Sequence, residues 1–371
     1  MFLFGNKKKN NISILPEDKC CGCGVCSNIC PKNAITMEEN QEGFLFPRID
    51  FKKCVDCGLC KNACPALNLK KENFSDPECY ALWAQDDVRL ISSSGGMFTM
   101  LANYVFEQGG VVCGAAFDDD YRVHHITIEN PADLDKLRRA KYVQSDTEDI
   151  FKQVKAHLNQ DKWVLFSGCP CHVAGLRNFL RKPYDKLLTA DLVCHGVPSP
   201  MVFRKYMEEV HDKDQIENFS FRTKDKGYAC TTMKIEMKNG EVLYPSNTNG
   251  DIYEKVFHRC MAIRKSCLDC NYAVVPRQGD FTIGDFWGIS KFDPKLNDKK
   301  GTSVVLVNTQ KAKEIFEVIK PQLKMATLVP IEYAKRHNRF GAKEHGFDQR
   351  DQFLKEVRKN GVKAAAEKFI K

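Results

Sequence analysis

Two tandem cysteine runs restrict the possible folds of this chain more than any other feature of its sequence. Each run has the spacing C-x2-C-x2-C-x3-C-P. The eight cysteines are Cys20, Cys23, Cys26, Cys30, Cys54, Cys57, Cys60 and Cys64. The first three cysteines of such a run wrap one cubane, whereas the fourth, held off by the longer spacer, ligates the other cluster. The spacing therefore predicts a module built around two interlocked 4Fe-4S clusters.

The two predicted clusters exchange their fourth ligands. The first takes three cysteines of the first run and Cys64, and the second takes three cysteines of the second run and Cys30. Zinc fits poorly, because a zinc site uses one set of four ligands in paired loops. Residues 34–49 predict a hairpin around Gln41-Glu42-Gly43. Residues 14–68 resemble the bacterial two-cluster ferredoxin, with Cys21 out of register as a small buried residue.

Composition and targeting signals narrow the class of protein. The chain has 371 residues, enough for two or three domains, and its 18 cysteines are too many for packing alone. The sequence has no export signal and no apolar stretch of about 20 residues. We therefore expect a soluble, cytoplasmic protein whose cysteines bind metal, and which meets a membrane only through a partner. The net charge of +8 is modest, and the scattered basic residues predict no nucleic-acid binding.

Strands and helices alternate along the rest of the chain, which predicts an open α/β sheet. The strand "WVLFSG" at 163–168 runs into the motif that contains Cys171, and "LLTADLV" at 187–193 runs into Cys194 and His195. In an open α/β sheet, ligands bind in the crevice at the carboxyl ends of the strands. We therefore expect these cysteines to lie in a ligand-binding crevice.

Four distal cysteines have the number of thiolates that a third 4Fe-4S cluster requires. Cys171 and Cys194 are single cysteines in predicted loops, and Cys267 and Cys270 form a C-x2-C pair. Two alternatives stay open at this stage. The same four thiolates also suit zinc, and Cys169 and Cys171 could form a redox dithiol, although such pairs usually have C-x2-C spacing at a helix start. The two clusters already predicted favour iron–sulfur.

Six motifs, in order, resemble the coenzyme F420 hydrogenase/dehydrogenase beta-subunit family, which includes relatives of 7-hydroxymethyl chlorophyll a reductase. They are "SSGGMFTMLANYV", "KYVQS", "GCPCHVAGLR", "DLVCHGVPSP", "CLDC" and "TIGDFWG", and they lie between about residues 80 and 330. The resemblance implies FAD and a cluster held by Cys171, Cys194, Cys267 and Cys270. The chain departs from the usual Gly-Thr-Pro-Cys at Cys169, which is a possible competitor for iron, as is Cys260.

No G-x-G-x-x-G or Walker-type loop occurs, so the flavin site rests on weaker signals. Residues 92–96, "SSSGG", precede a predicted helix, and their hydroxyl and backbone N–H groups suit a pyrophosphate. The predicted flavin-binding residues, including those that the family resemblance adds, are Ser94, Gly95, Gly96, Lys141, Tyr142, Ser145 and Asp285. Lys141 and His195 are the predicted catalytic residues, with an exposed lysine and a turn histidine as the plain alternatives.

The predicted fold is an α+β ferredoxin-like module followed by an α/β flavin- and cluster-binding domain with a mixed sheet. The expected boundaries are 1–70 for the module, 71–160 and 161–330 for the two parts of the flavin domain, and 331–371 for a helical tail. We expect an oxidoreductase that moves electrons between a reduced deazaflavin or small organic substrate and one-electron clusters. The alternative is a non-catalytic relay subunit. A ferredoxin or a hydrogenase or dehydrogenase subunit is the expected partner.

Overall fold

The computed structural model describes residues 10–228, 231–338, 340 and 348–370. The basic run at 7–9, the first two residues of the predicted strand at 229–237, and residues 341–347 of the predicted tail lie outside this part of the chain. The strands of the described residues are β1 Ile35–Glu39, β2 Leu45–Ile49, β3 Glu78–Trp83, β4 Val111–Phe117, β5 Val123–Ile128, β6 Val164–Gly168, β7 Leu187–Leu192, β8 Ile216–Ser220, β9 Lys234–Met237, β10 Val242–Leu243, β11 Phe281–Asp285, β12 Ser303–Val307 and β13 Met325–Leu328.

The α-helices of the same residues follow the order α1 Val25–Asn28, α2 Leu59–Ala63, α3 Asp86–Leu90, α4 Met97–Glu107, α5 Ile150–Asn159, α6 Pro170–Leu180, α7 Pro200–Val210, α8 Ile252–His258, α9 Lys265–Leu268, α10 Ile289–Phe292, α11 Gln310–Ile319, α12 Ile331–His337 and α13 Arg350–Phe369. Short 3-10 turns cover Ile12–Ile14, Glu17–Lys19, Pro131–Lys136, Lys213–Gln215, Asn247–Asn249, Pro294–Leu296 and Lys320–Gln322. No helix among the described residues is both long and apolar enough to cross a bilayer.

An eight-stranded mixed sheet organises the chain, in the order β13-β3-β12-β11-β7-β6-β4-β5. The four strands β4, β6, β7 and β11 are parallel, and antiparallel strands flank them on both sides. Central parallel strands are covered on both faces, which is why runs such as "VLF" in β6 are continuously apolar rather than alternating. The predicted mixed α/β sheet is confirmed. A separate antiparallel sheet, β10-β9-β8, contains the predicted turn at Asn239-Gly240.

Helices cover both faces of the large sheet. On one face, α4 buries Met97, Met100, Leu101 and Val105, the apolar positions that the helical spacing predicts. On the other face, α5 and α6 pack in a cluster that also contains Cys23 and Val25 of the first cysteine run. The amino-terminal module is therefore packed against α5 and α6 through its own buried side chains.

The amino-terminal module consists of α1, α2 and the antiparallel hairpin of β1 and β2. The hairpin turns at Gly43 as predicted, with a φ of +79° that favours glycine. A Cβ atom there would lie 2.4 Å from Cβ of Met201, because the turn approaches α7 closely. The turn is thus also part of the contact between the module and the larger domain.

Two local predictions were wrong. The helix expected at 131–139 is a 3-10 turn, Pro131–Lys136, begun by the side chain of Asn130, which accepts a hydrogen bond from Ala132 N. Cys171 was expected in a loop, but it is in the first turn of α6, after Cys169 at the N-cap and Pro170 at the first helical position. Proline is favoured there because its missing N–H is one that the helix leaves unpaired.

Candidate functional site

A cavity of about 520 Å³ lies at the carboxyl ends of β6, β7 and β11, where Gly168, Leu192 and Asp285 line its wall. Most of the residues predicted as flavin-binding or catalytic line the same cavity. These are Ser94, Gly96, Lys141, Tyr142, Ser145, Asp285 and His195. Cys169 and Cys194 line it as well. The structure therefore brings together, in one crevice, residues from distant parts of the sequence.

The serine–glycine loop before α4 is more deeply integrated into the sheet than the sequence suggests. The Gly95 N–H donates to Ser303 Oγ at 2.8 Å, and Ser94 Oγ donates to the Thr302 carbonyl at 3.0 Å. A Cβ atom at Gly95 would lie 2.2 Å from the Leu82 carbonyl oxygen. Gly95 does not line the cavity. Its N–H is already paired, so of this loop only Ser94 and Gly96, with the neighbouring serines, face the crevice.

Lys141 is held at the cavity wall by backbone carbonyls. Its Nζ donates to the carbonyl oxygens of Lys136 and Arg138, both at 2.8 Å. Burial, and then the nearby charge of Arg139, lower the pKa of Lys141 to about 7. An ammonium with this pKa changes its charge near neutral pH, so Lys141 is not the ordinary exposed lysine of the plain alternative.

A buried ion pair that sequence reasoning missed forms the opposite wall. Arg222 Nη1 lies 2.9 Å from Asp285 Oδ2 and donates to Tyr142 Oη at 3.0 Å. Tyr228 donates to Asp285 Oδ1 at 2.7 Å. Asp285 therefore holds Arg222 and Tyr228 in place instead of shaping a turn alone. Trp287 stacks on the Tyr228 ring at 6.0 Å and remains 43% exposed at the cavity.

Two buried histidines also reach the cavity and were not predicted as site residues. His125 Nδ1 hydrogen bonds with Ser145 Oγ at 2.8 Å, and its ring lies 5.1 Å from that of His172. His125 Nε2 and His172 Nδ1 have no hydrogen-bond partner among the described residues. Buried polar atoms are normally paired, so two such nitrogens at one cavity suit a polar ligand there.

His195 lines the cavity and also contacts Phe257 and Cys260. Its Nε2 lies 3.1 Å from the Phe257 carbonyl oxygen and 3.3 Å from Cys260 Sγ. Its ring also packs on Phe257, with centroids 4.7 Å apart. The described contacts thus engage His195 in packing, which matches the plain alternative more closely than the catalytic one.

The distal cysteines gather beside the cavity, and Cys169 lies among them. The Sγ atoms of Cys169 and Cys194 are 3.9 Å apart, and this contact lowers the pKa of Cys194 to about 7. The contact raises the pKa of Cys169, and burial and the charges of Cys267 and Cys270 raise it further. The structure therefore places Cys169, the departure from the family motif, close to three of the four predicted ligands.

The spacing of Cys169 and Cys194 bears on the zinc alternative. Two thiolates on one tetrahedral zinc, with Zn–S bonds of about 2.3 Å, lie roughly 3.8 Å apart. The observed 3.9 Å between Cys169 and Cys194 matches that spacing, but Cys169 is not one of the four thiolates of the zinc alternative. Across the described part of the chain, no three cysteine, histidine or acidic side chains are placed to hold a single metal ion.

Cys171 faces the first cysteine run. Hydrogen bonds with Cys171 and with Cys23 lower the pKa of Cys21 well below its ordinary value, and the same contact raises the pKa of Cys171. Tyr272 Oη lies 3.9 Å from Cys21 Sγ. Cys21 thus connects Cys23, a predicted ligand of the first cluster, to Cys171, a predicted ligand of the distal one, and is more than a small buried residue.

Thiols of the two cysteine runs lie close to one another. Burial raises the pKa of Cys26 well above its ordinary value, and the thiols of Cys20, Cys64 and Cys60 raise it further. The charge of Cys64, which belongs to the second run, also raises the pKa of Cys23. The first set of thiols is buried, whereas in the second set Cys57 is exposed. The first set faces the larger domain, whereas the second reaches the surface at Cys57, with Cys60 buried and Cys30 and Cys54 half-buried.

A buried arginine fastens the first run to the larger domain. Arg264 is 1% exposed, and its Nε donates to the Cys20 carbonyl at 2.6 Å. Its guanidinium lies 4.0 Å from the Phe46 ring centroid, which places it in cation–π contact with the hairpin. A Cβ atom at Gly22 would lie 2.3 Å from Gln144 Nε2. The module is therefore closely fitted to the domain that contains the cavity.

Three family models match the chain. Residues 79–152 match the amino-terminal region and residues 161–331 the carboxyl-terminal region of the coenzyme F420 hydrogenase/dehydrogenase beta subunit, and residues 19–68 match the 4Fe-4S dicluster domain. A curated relative, the coenzyme F420-dependent sulfite reductase of Methanocaldococcus jannaschii, is 22% identical over 310 residues. That match covers 81% of this chain but only 46% of the relative, so the chain spans about half of its length.

A solved structure also matches, the F420-reducing [NiFe] hydrogenase complex from Methanosarcina barkeri. The match covers 79% of this chain and 91% of the matched chain, with a TM-score of 0.48 and 18% sequence identity.

Proposed function

The chain belongs to the coenzyme F420 hydrogenase/dehydrogenase beta-subunit family, and we propose that it exchanges electrons between a two-electron carrier and one-electron partners. The family models and the 4Fe-4S dicluster match make it an iron–sulfur protein related to F420-dependent oxidoreductases. The finer proposal is that the carrier is a reduced deazaflavin of the F420 type, that FAD occupies the cavity, and that a third cluster lies beside it.

One observation carries this proposal. The cysteines form a series from the cavity toward the surface. Cys169 and Cys194 line the cavity, and Cys21 contacts both Cys171 and Cys23. The thiols of the first run lie close to Cys60 and Cys64, and Cys60 lies close to the exposed Cys57. A metal site that served only stability would need no such series. Closely spaced redox groups between a cavity and the surface suit an electron-transfer protein.

The cavity fits FAD in charge and in size. Its volume of about 520 Å³ falls within the range of cofactor sites, about 300–1,000 Å³. Basic side chains outnumber acidic ones on its wall, with Arg138, Arg139, Lys141 and Arg222 against Asp285. An excess of positive charge suits a pyrophosphate, and the unpaired nitrogens of His125 and His172 suit polar ring atoms.

Bound FAD would supply hydride transfer on one side and single-electron transfer on the other, and 4Fe-4S clusters would supply single-electron transfer. Lys141, with Ser94 and Gly96 at the start of α4, would hold the anionic part of the cofactor. The Arg222–Asp285 pair would hold Tyr142 and Tyr228 against it. The exposed ring of Trp287 would offer a stacking surface to a planar substrate at the cavity.

The proposal is tested with the full chain, purified without oxygen and loaded with iron, sulfide and FAD. Reduced coenzyme F420 should be oxidised with concurrent reduction of a one-electron viologen dye, two dye molecules for each coenzyme. The relay-subunit alternative predicts instead that dithionite reduces the clusters while no two-electron carrier reacts. That second pattern, reproduced with nicotinamide and deazaflavin donors, would overturn the proposed enzyme activity.

The Lys141 ammonium should make FAD binding depend on pH. Lysine is charged below its pKa, and a phosphate favours the charged form, so affinity should fall as pH rises through about 7. We expect up to about a tenfold loss per pH unit above that point until the pKa of the bound state is reached. Titration of the apoprotein with FAD, followed by flavin fluorescence, measures this.

Two variants isolate the lysine charge. Lys141→Met should bind FAD weakly with little change between about pH 6 and pH 9, and Lys141→Arg should bind tightly over the same range, because arginine stays charged. If Lys141→Met keeps the pH dependence of the natural chain, another group causes it.

A further inference from the structure

In the second cysteine run Cys57 is exposed and Cys54 is half-buried, and the surface around these two has a distinct composition. Phe51 and Val55 keep 63% and 58% of their surface exposed. Cys57, which follows them in the chain just before α2, is exposed as well. Large apolar side chains that remain exposed next to each other are typical of interaction sites. We call the residues 48–57, with Lys32 and Lys61, the second-run surface.

The second-run surface is basic. Five basic side chains, Lys32, Arg48, Lys52, Lys53 and Lys61, belong to it. Lys32 lies close to the run because Ala34, two residues after Lys32, accepts a hydrogen bond from the Asp50 N–H. Lys61 lies close to it because its Nζ donates to Asn10 Oδ1, and Asn10 is in turn bonded to Asp56.

Only two acidic side chains belong to this surface, and both are engaged within it. Asp56 accepts hydrogen bonds from the Asn10 N–H and from Asn11 Nδ2, at 3.0 and 2.7 Å. Asp50 lies 3.5 Å from Lys53 Nζ. Of the acidic groups of the β1–β2 hairpin, Glu39 binds Arg204 and Glu42 binds Arg350. Glu38 is exposed and accepts a hydrogen bond from Thr36 Oγ1. The remaining charge on the second-run surface is therefore positive.

The opposite side of the module is closed. The first run is buried against α5 and α6, and Arg264 fixes it there. A protein that exchanges electrons with this chain through the module can therefore approach the second run and not the first. Transient electron-transfer complexes have small interfaces, and complementary charge raises their association rates.

We propose that the second-run surface docks a small, acidic one-electron carrier protein of the ferredoxin class. This inference rests on the proposed function and deepens it by specifying the partner. In the exchange, the carrier's iron–sulfur centre loses one electron and one cluster of this chain gains it, or the reverse, with no bond made or broken. Phe51 and Val55 would form the apolar centre, and the lysines would form the charged rim.

Binding tests the docking without relying on activity. An acidic plant-type ferredoxin is the probe, and its dissociation constant for the cluster-loaded full chain is measured by calorimetry at low and high salt. Lys52→Glu/Lys53→Glu should weaken binding at least about tenfold at low salt and remove most of its salt dependence. Phe51→Ala should weaken binding at both salt concentrations, because apolar contact is little screened.

The control reverses the same number of charges elsewhere. Lys355 and Lys359 are exposed on α13, so Lys355→Glu/Lys359→Glu changes the net charge equally, far along the chain from the second run. If the two double variants weaken ferredoxin binding equally, the docking surface is wrong. It is also wrong if Lys52→Glu/Lys53→Glu loses affinity for anionic phospholipid vesicles while ferredoxin binding is unchanged.

A small mediator separates this inference from the proposed function. A reduced zwitterionic viologen needs no docking surface, so it should reduce the clusters of the natural chain and of Lys52→Glu/Lys53→Glu at equal rates. Reduced ferredoxin should reduce the clusters of the variant about tenfold more slowly than those of the natural chain. If the mediator fails with the natural chain, the proposed function fails. If the mediator succeeds and ferredoxin reacts equally with both chains, only the docking surface is overturned.

Discussion

Cys171→Ser should remove four of the roughly twelve irons that three 4Fe-4S clusters contain. The remaining eight belong to the two interlocked runs, whose ligands the substitution does not touch. Electron transfer from the reduced carrier to the module should stop, because the distal cluster would no longer link the cavity to Cys21 and Cys23. Iron and sulfide analysis of the purified variants measures the loss, and each variant is compared with the natural chain prepared in parallel.

Cys169→Ser is the matched control for that experiment, because Cys169 is the N-cap residue of the same helix, α6, two positions before Cys171. The Sγ atoms of Cys169 and Cys194 are 3.9 Å apart, but the family resemblance assigns the ligand role to Cys171, so on that assignment Cys169→Ser should cost little iron. Equal damage at both positions would show that the Cys-Pro-Cys acts as a pair. A natural chain with eight irons and one zinc would establish the zinc alternative that the Cys169–Cys194 spacing permits.

Ala115→Phe should abolish flavin binding while leaving all of the iron in place. Ala115 is on β4 at the wall of the cavity, and a phenyl ring there would take up space that the cofactor needs. Substitution of Gly95 would be a poorer test, because its Cβ would lie 2.7 Å from Ser303 N and disturb the sheet itself. The ratio of flavin to protein after gel filtration is the measurement.

Ala115→Ser is the conservative partner of that variant and should keep one FAD for each chain. Iron content serves as the control for folding, because a misfolded chain would lose its iron as well as its flavin. Full flavin occupancy in a correctly folded Ala115→Phe chain would mean that FAD, if bound, lies elsewhere.

Several features could be predicted from the sequence because they depend on short segments. The hairpin at Gly43, the helix α4 and the mixed sheet follow from turn residues and from the period of apolar residues. Cys171 and Cys194 were predicted to share one crevice because each follows a parallel strand. In the structure Cys169 contacts Cys194, and Cys171, in the first turn of α6, contacts Cys21 instead. The loop at 92–96 was a weaker prediction, since its hydrogen bonds go to Thr302 and Ser303, far along the chain.

The sequence by itself determined which thiols form runs, because ligand spacing within a loop is a property of a few consecutive residues. Only the tertiary structure decided what those runs face. Cys21 meets Cys171, Arg222 meets Asp285 and Arg264 meets Cys20 across long stretches of chain. Such pairs leave no periodic signal, since they depend on how α6, β11 and the module pack in three dimensions. For the same physical reason, the exposure of Cys57 and the burial of Cys20, Cys23 and Cys26 became visible only in the folded chain.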